Sequence, residues 1–564
     1  HIAGGTNEYQ IKHTVDMENI GAIVAAKAQD LVVVGNGAST LNIEGGRLSY
    51  NEGVTGDIHA VNMNQGGTFH MSGGFITNVK AEGLGGAVSA NSGNNGSAVN
   101  ITIDGNAVIA GNATKKNGGA IWMSSEAKGT PATLTVSGNA VIAGNEAGSE
   151  PLTDLTKGTI ATSQNGGGIY ARKNCEVTIT GSAVIAGNVA NADGGGVYIE
   201  GHAKGSTATK NLLTIEENAT ITNNRSENDR TAKHQKDRST GPSNEEHFWK
   251  NYGGGGGGIF TLDETIINGG QITSNFASDG GGGIYALGGT KTIPSKWNGG
   301  LDESKAYENA LPVLKVENCR ISSNYAGTSE GGGICAGTDK ASYVKQGIIS
   351  NNMTATYFDY GGGGLFMSSI DANDIKGTPQ ATAGITVYHP LVSGNTAAGF
   401  GGGVASCTNG VVVSCDAAVF DNKALERNAT QNPNEFGDQW LLEANLRKDE
   451  FKQSGQNTYG LKDKLEKGYA NDFYCARTST VFNTMLGGGW YNWEGYTTGG
   501  VAGGEAYAQR VDGQPKYVQV NGGEKISVTN TFYYSEHKAL VVRIAADKAE
   551  AVEALKGYLV TFNT

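Results

Sequence analysis

Acidic side chains stand just before four of the glycine runs in this sequence, as Asp193, Asp279, Glu330 and Asp359. Asparagine holds the same place before two earlier runs, as Asn117 and Asn165. If the runs lie one above another, the acids stack about 5 Å apart, and like charges that close raise one another's pKa. Two carboxyl groups about 5–5.5 Å apart form the acid/base and nucleophile pair of a retaining glycosidase. The alternative is that each acid only accepts hydrogen bonds from its glycine turn.

Stacking of this kind requires a repeat, and an apolar residue three positions before an asparagine provides one. A glycine run and a short alternating strand complete most repeats, and an aromatic residue often follows the glycines, as in the segment 194–198, GGGVY. The apolar–asparagine pair recurs eleven times, with a shortest spacing of 27 residues, at Leu48/Asn51, Phe75/Asn78, Ile109/Asn112, Ile142/Asn145, Ile185/Asn188, Ile221/Asn224, Ile272/Asn275, Ile321/Asn324, Ile348/Asn351, Val392/Asn395 and Val419/Asn422.

Three short strands in each repeat, with no helix between them, predict an all-β fold. The specific prediction is a right-handed, single-stranded parallel β-helix of about eleven turns. Turns stacked about 4.8 Å apart place equivalent residues in columns. We expect the isoleucine column to fill the interior and the asparagine column to lie at a bend, where its amides bind neighbouring groups. The glycines permit tight turns where a Cβ atom would clash.

The repeat also sets the predicted domain boundaries. Residues 1–40 are predicted to form an N-terminal cap, 41–425 the β-helix, 426–470 a helical insertion or cap, and 471–564 a C-terminal β-rich region. Long loops are predicted at 225–252, 288–310 and 367–383. Insertions at matching points of neighbouring turns protrude together, so these loops are expected to border a cleft.

Aromatic residues in and beside the loops are the candidate substrate-binding groups, because flat apolar rings offer a surface to sugar rings. The candidates are Phe248, Trp249, Tyr252, Trp297 and Tyr360. The alternative is that each loop buries its own aromatic side chains. Together with the acids, these residues predict an oligosaccharide or host glycan as the partner.

Composition argues against several other functions. The chain of 564 residues has a net charge of −12, which disfavours binding to nucleic acid or to an anionic membrane. It contains no run of 18 apolar residues, so no membrane insertion is expected. The histidines lack metal-ligand spacing and the glycine runs lack the lysine of a phosphate loop, so neither a metal nor another cofactor is predicted. A monomer is expected.

Six cysteines are spread along the chain, and none forms a C-x-x-C motif. Cys319 and Cys335, or Cys407 and Cys415, are close enough in sequence to meet as disulfide bridges. Free buried thiols are the alternative for each of them.

Gly118-Gly119-Ala120-Ile121 and Phe75-Ile76-Thr77-Asn78 are two segments of the repeat. They resemble the GGAI and FxxN repeats of polymorphic outer-membrane-type surface proteins. The resemblance covers roughly residues 40–425. It implies a β-helical fold and a secreted or cell-surface protein of a bacterium, and it carries no information on chemistry.

The segment from Asn352 to Asp359 resembles the lacto-N-biosidase family, glycoside hydrolase family 136, which uses two aspartates seven positions apart as acid/base and nucleophile. Under this resemblance Asp359 matches the nucleophile, and Asn352 stands at the acid/base position. An asparagine cannot donate a proton as an acid. The chain is therefore an inactivated version, a different enzyme that uses Asp279 or Glu330, or a protein without catalytic activity.

The resemblance implies a secreted retaining glycosidase of a gut-type bacterium. Its expected substrates are β-linked host glycans or milk oligosaccharides, from which it would release a disaccharide such as lacto-N-biose. The alternative is a non-catalytic adhesin that binds a host glycan or protein. The long clustered loops argue against a purely structural stalk, because a spacer needs only minimal turns.

Overall fold

The computed structural model describes residues 21–424 with gaps, and several short strands beyond them. The gaps are 36, 94–96, 126–129, 149–163, 203–209, 228–253, 288–310, 328–329, 340, 355–360, 368–383, 389, 398–400, 407–410, 416–417 and 421. Regular structure in this described part is entirely β-strand. Parallel pairing joins almost every strand to its equivalents one repeat before and one repeat after, which is the architecture of a parallel β-helix.

Three sheets run along the β-helix, and each circuit of the chain, here called a coil, contributes strands to all of them. In sheet A most coils supply two short strands. The first series comprises Thr40–Ile43, Gly67–Met71, Val99–Ile103, Ala132–Val136, Cys175–Ile179, Leu314–Glu317, Tyr343–Lys345, Gly384–Tyr388, Val411–Cys415 and Thr480–Thr484. The second comprises Ala22–Ala25, Arg47–Tyr50, Phe75–Thr77, Val108–Ala110, Val141–Ala143, Val184–Ala186, Arg320–Ser322, Ile348–Ser350, Leu391–Ser393 and Ala418–Phe420, and the longer strands Leu212–Thr222 and Glu264–Thr273 span both series.

Sheet C follows sheet A in each coil, and sheet B follows sheet C after a glycine turn. The two-residue strands of sheet C are Lys80–Ala81, Ala113–Thr114, Glu146–Ala147, Val189–Ala190, Arg225–Ser226, Phe276–Ala277, Tyr325–Ala326, Met353–Thr354, Thr396–Ala397 and Lys423–Ala424. The strands of sheet B are Val32–Val33, Val61–Met63, Val88–Asn91, Ile121–Ser124, Ile169–Arg172, Val197–Ile199, Ile259–Thr261, Ile284–Leu287, Ile334–Gly337, Leu365–Met367, Val404–Ser406 and Phe473–Cys475.

Apolar columns fill the interior, as the repeat predicts. Ile109 pairs with Ile142, and Ile142 pairs with Ile185, so that equivalent residues of successive coils lie directly over one another. All three are fully buried in one continuous core. Because side chains alternate between the two faces of a strand, each strand sends its other residues to the outside of the β-helix.

Tight glycine turns link sheet C to sheet B. A Cβ atom added to Gly195 would lie 2.4 Å from the carbonyl carbon of Arg225 in the next coil. One added to Gly282 would lie 2.5 Å from backbone atoms of Tyr325 and from the carbonyl oxygen of Gly332. The glycines therefore allow backbones of successive coils to approach more closely than any side chain would permit.

In two coils the predicted register is wrong by one residue. Ile76, not Phe75, pairs with Ile109, and Ile349, not Ile348, pairs with Ile321. Each of these coils has two adjacent apolar residues. Ile348 and Ile349 both precede an asparagine by three positions, whereas in the earlier coil Val79 stands at the asparagine position three residues after Ile76. The neighbouring coils decide the register, because only one choice continues the buried column.

The β-helix extends beyond both predicted boundaries. Ala22–Ala25 pairs with Arg47–Tyr50 inside the region predicted to be a cap. Beyond residue 470, Phe473–Cys475 pairs with Val404–Ser406 and Thr480–Thr484 pairs with Val411–Cys415, all in parallel. The segment predicted as a helical insertion, 426–470, lies outside the described residues.

The strands at the far C-terminal end differ from the β-helix, because those that pair do so in an antiparallel manner. Trp490–Trp493 joins Thr480–Thr484, then Val518–Val520 and Glu524–Ile526 follow, and Val528–Asn530 pairs separately with Arg543–Ile544.

Two predicted loops begin later than expected, and three cysteines are unbridged. Arg225 and Ser226 form a strand of sheet C, and Met367 ends a strand of sheet B, so both lie in the β-helix instead of in loops. Cys175, Cys319 and Cys335 are buried and form no disulfide bonds. A bridge between Cys319 and Cys335 is therefore excluded.

Candidate functional site

An unbroken asparagine ladder lies at the bend between sheets A and C. We use this name for Asn112, Asn145, Asn188, Asn224, Asn275, Asn324, Asn352, Asn395 and Asn422. In each step the side-chain amide donates to the Oδ1 atom of the next asparagine at 2.9–3.0 Å. The same Oδ1 atom also accepts a backbone N–H from the previous coil. Buried polar groups of this kind stabilise the fold when every one of them is satisfied.

Asn352, the residue that falls at the acid/base position by resemblance, is a rung of this ladder. It is buried, and its amide donates to the carbonyl oxygen of Ile321 and to Oδ1 of Asn395. Its own Oδ1 accepts from the backbone and side chain of Asn324. These bonds use the donors and acceptors of the side chain within the bend, so its observed role is structural.

An aromatic ladder occupies the outer face of sheet B. Tyr170, Tyr198, Phe260 and Tyr285 stand in register on successive coils. Their rings stack with centroids 4.9, 5.0 and 4.9 Å apart and are nearly parallel. Trp122 precedes them in the same column. Because each inner ring has a neighbour on both faces, none of these faces is left for a sugar.

The acids before the glycine runs do not form a single column of adjacent carboxyl groups. Asp193 and Glu330 hold equivalent positions, but Gly255 and Gly280 hold that position in the two coils between them. Asp279 comes one residue earlier because its run contains a fourth glycine. The predicted stack of these acids on adjacent turns is therefore wrong for Asp193, whereas Asp279 and Glu330 do lie on adjacent coils.

Asp193 continues a short ladder that starts with two asparagines. Oδ1 of Asn117 accepts the N–H of Asn165, Oδ1 of Asn165 accepts the N–H of Asp193, and Oδ1 of Asp193 accepts the N–H of Gly255, each at 2.9 Å. Burial raises the pKa of Asp193 from 3.8 to about 6, although the hydrogen bonds from the Gly254 and Gly255 amides oppose the shift. Asp193 therefore accepts hydrogen bonds from its glycine turn, which is the alternative to a catalytic role.

Asp279, Glu330 and Tyr285 come together at the edge of sheet B nearest the glycine turns. The two acids are 5% and 8% exposed. Burial, first of all, and then the charges of Cys335, Asp279, Asp193 and Glu330 raise the pKa of the Tyr285 phenol well above its usual value. The raised pKa keeps the phenol protonated, so that it can donate a hydrogen bond.

In the sequence, long segments outside the described residues lie on both sides of the sheet B strands. On the sheet C side, 149–163, 228–253 and 355–360 lie between the strands of sheet C and sheet B. On the other side, 288–310 and 368–383 follow Leu287 and Met367, which end strands of sheet B.

Several predicted site residues lie outside the described residues. They are the catalytic candidate Asp359 and the substrate-binding candidates Phe248, Trp249, Tyr252, Trp297 and Tyr360. Their predicted roles stay predictions. Of the remaining candidates, Asp279 and Glu330 lie on adjacent coils and Asn352 belongs to the asparagine ladder.

Tyr285 and Cys335 are members of the site that the sequence did not single out. The signal was available, because the aromatic residue after each glycine run recurs once per coil, and Cys335 takes its place in one repeat. The position after the glycine run belongs to a site only because it faces outward from sheet B.

The described residues hold no group of three or more side chains suited to a metal ion. They also include no helix long and apolar enough to cross a membrane. No protein-family model, no curated protein and no solved structure matches the sequence. The geometry of the chain itself is thus the basis for a functional assignment.

Proposed function

We propose that this protein is a secreted or cell-surface glycoside hydrolase that acts on β-linked glycans with retention of configuration, and that Asp279 and Glu330 are its carboxyl pair. The observation that carries the proposal is their placement one coil and one residue apart. With coils about 4.8 Å apart and about 3.3 Å per residue, their Cα atoms are separated by about 6 Å. Side chains from Cα atoms at this separation can place their carboxyl groups about 5–5.5 Å apart, as in a retaining pair.

The chemistry follows from two carboxyl groups that cannot both ionise easily. In the proposed reaction one of them carries a proton and donates it to the leaving oxygen of the glycosidic bond. The other, ionised, attacks the anomeric carbon and forms a glycosyl ester. The first carboxylate then takes a proton from water, which hydrolyses the ester. The protonated phenol of Tyr285 donates a hydrogen bond to an ionised carboxylate or a sugar oxygen at this edge.

The proposed substrates are host glycans or milk oligosaccharides, and the proposed product is a disaccharide such as lacto-N-biose. An acidic protein with a net charge of −12 suits a neutral sugar substrate better than a polyanion.

The test is release of disaccharide from lacto-N-tetraose by the full chain, followed by NMR of the first anomer formed. We expect Asp279→Asn and Glu330→Gln each to lower kcat by at least about a hundredfold. Asp193→Asn is the matched control, because it removes a nearby acid that already accepts hydrogen bonds from a glycine turn. Unchanged turnover in both Asp279→Asn and Glu330→Gln would contradict the assignment, and an inverted first product would contradict retention.

A non-catalytic adhesin is the second candidate. It is favoured by the low exposure of Asp279 and Glu330 and by Asn352, which offers no acid at the position matched by resemblance. In that case the wild-type chain binds lacto-N-tetraose and releases no disaccharide, even after long incubation. Isothermal titration alongside the turnover assay separates the two functions.

A further inference from the structure

The outer face of sheet A changes character along the β-helix. In the earlier coils, the first series of strands carries an outward column of threonines, Thr102, Thr135, Thr178 and Thr214. Farther along, Tyr343 continues this column and Tyr388 lies on the same face in the following coil. Both tyrosines point outward, because Val344 and Val387 beside them are buried in the core.

The two tyrosines are open to a ligand. Tyr388 is 36% exposed and is the one exposed aromatic side chain among the described residues, and Tyr343 is partly exposed. The tyrosines of the aromatic ladder, by contrast, are only 5–8% exposed. Lys345 pairs with Tyr388, so the two tyrosines are one coil and two residues apart, with about 8 Å between their Cα atoms. Two linked sugar rings are long enough to contact both phenol rings.

Ion pairs with the preceding coil compensate the lysines that stand beside the tyrosines. Lys345 donates from Nζ to Oε1 of Glu317 at 2.7 Å, and Lys315 donates to Oε1 of Glu264 at 3.2 Å. Compensated lysines disfavour a polyanionic partner. The side chains of Lys345 and Glu317 are 45% and 28% exposed, so a donor and an acceptor remain within reach of ligand hydroxyl groups.

We infer that this face is a second glycan-binding surface, separate from the carboxyl pair on sheet B, and that it takes a neutral β-linked oligosaccharide. The choice of a sugar rests on the proposed activity on carbohydrate. A pyranose has largely apolar C–H faces and a polar rim. Its faces match the phenol rings of Tyr343 and Tyr388, and its hydroxyl groups match Lys345 and Glu317 between and beside them.

Hydroxyl-radical footprinting of the full chain, read by mass spectrometry, tests this surface directly. The probe is lacto-N-tetraose, and the measured quantity is the oxidation rate of each side chain with and without the sugar. We expect the rate at Tyr388 to fall at least about threefold. Ile23 and Val33 are internal references, because they are 58% and 54% exposed at the other end of the β-helix and should be unaffected.

Two variants at one position separate stacking from hydrogen bonding. Tyr388→Ala removes the ring, and we expect the sugar concentration that half-protects Tyr343 to rise at least about tenfold. Tyr388→Phe is the matched control that keeps the ring, and the change should be less than about twofold. Because Tyr388 is on the surface, the melting temperatures and the turnover of lacto-N-tetraose should equal those of the wild type in both variants.

The outcomes distinguish this inference from the proposed hydrolase. Cleavage of lacto-N-tetraose without protection of Tyr388 would overturn the inference and leave the hydrolase intact. Protection of Tyr388 without cleavage would support the inference and contradict the hydrolase. Equal protection of Ile23 and Val33, or unchanged protection of Tyr343 in Tyr388→Ala, would overturn the inference. Protection of Tyr388 that grows with protein concentration in the absence of sugar would assign this face to a second copy of the chain, and would also overturn it.

Discussion

The asparagine ladder and the aromatic ladder both place one residue in every coil, yet only the first is unbroken from Asn112 to Asn422. Each asparagine depends on the next for a hydrogen-bond acceptor, and a missing rung leaves buried polar groups of its neighbours unsatisfied. A missing ring on the outer face, as at Cys335, removes only stacking contacts. The asparagine ladder therefore preserves the fold, whereas the aromatic ladder tolerates variation and can accommodate a site.

The largest expected effect comes from breaking the asparagine ladder with Asn352→Asp. An ionised carboxylate keeps the acceptor for Asn324 but loses both donors, to Ile321 and to Asn395. It also places a negative charge at a buried position. We expect a loss of about 3–5 kcal/mol in the free energy of unfolding, measured by chemical denaturation near pH 7.

Asn351→Asp is the matched control for this variant. Its residue is adjacent in sequence and adds the same charge, but the side chain is exposed and the backbone φ of 55° is one that aspartate tolerates. We expect a change within about 0.5 kcal/mol. Equal effects of the two substitutions would contradict the structural role of Asn352. A gain of disaccharide release in Asn352→Asp would restore it as a catalytic position.

A smaller loss of stability is expected from a substitution in the glycine turn, which holds the aromatic ladder in register. The Cβ atom of Gly282→Ala would meet backbone atoms of Tyr325 and Gly332 at 2.5 Å, and neither can move without shifting a whole coil. We expect a loss of about 2–3 kcal/mol. Gly144→Ala is the control, because it has φ of 61° but nothing within 4 Å of the new Cβ atom. It should cost only about 1 kcal/mol through backbone strain. Equal thermal shifts in the two variants would mean that close coil packing is not what requires glycine at 282.

Much of the difference between the asparagine ladder and the aromatic ladder could be predicted from the sequence. The spacing of Ile109 from Asn112, repeated along the chain, predicts the parallel β-helix and its buried columns, because a column needs only one residue type at one position per coil. The register failed at Ile348 and Ile349, where two identical residues fit the same spacing. The adjacent Asn351 and Asn352 are ambiguous for the same reason, so the sequence alone does not show that Asn352 belongs to the ladder.

The candidate site was less predictable for a related reason. Whether two acids meet depends on the number of glycines between each acid and its strand, and one extra glycine after Asp279 moves it out of the column of Asp193 and Glu330. Which side chains face outward on sheet B depends on the same register. The outward orientation of Tyr285 and Cys335 therefore follows only from the alignment of the coils.

The smallest of the expected effects concerns Asp193, which links a structural amide ladder to the acid-rich edge of sheet B. Its pKa is raised from 3.8 to about 6, so the folded state binds the proton more tightly than the unfolded state does. The stability that protonation contributes is complete below pH 4 and is lost as pH rises towards 6. Asp193→Asn keeps the acceptor for Gly255, as Asn165 does for Asp193, and removes this titration.

Compared with the wild type, Asp193→Asn should gain free energy of unfolding as pH rises from 4 to 6, reaching about 1–3 kcal/mol and staying level above that. Denaturation at each pH for both proteins gives the difference directly, because their other titrating groups cancel. Glu176→Gln removes the same charge from an exposed position on sheet A, and controls for net charge. A difference that is flat from pH 4 to 6 for Asp193→Asn would show that this carboxyl titrates normally. The short ladder of Asn117, Asn165 and Asp193 would then accommodate a carboxylate as readily as an amide.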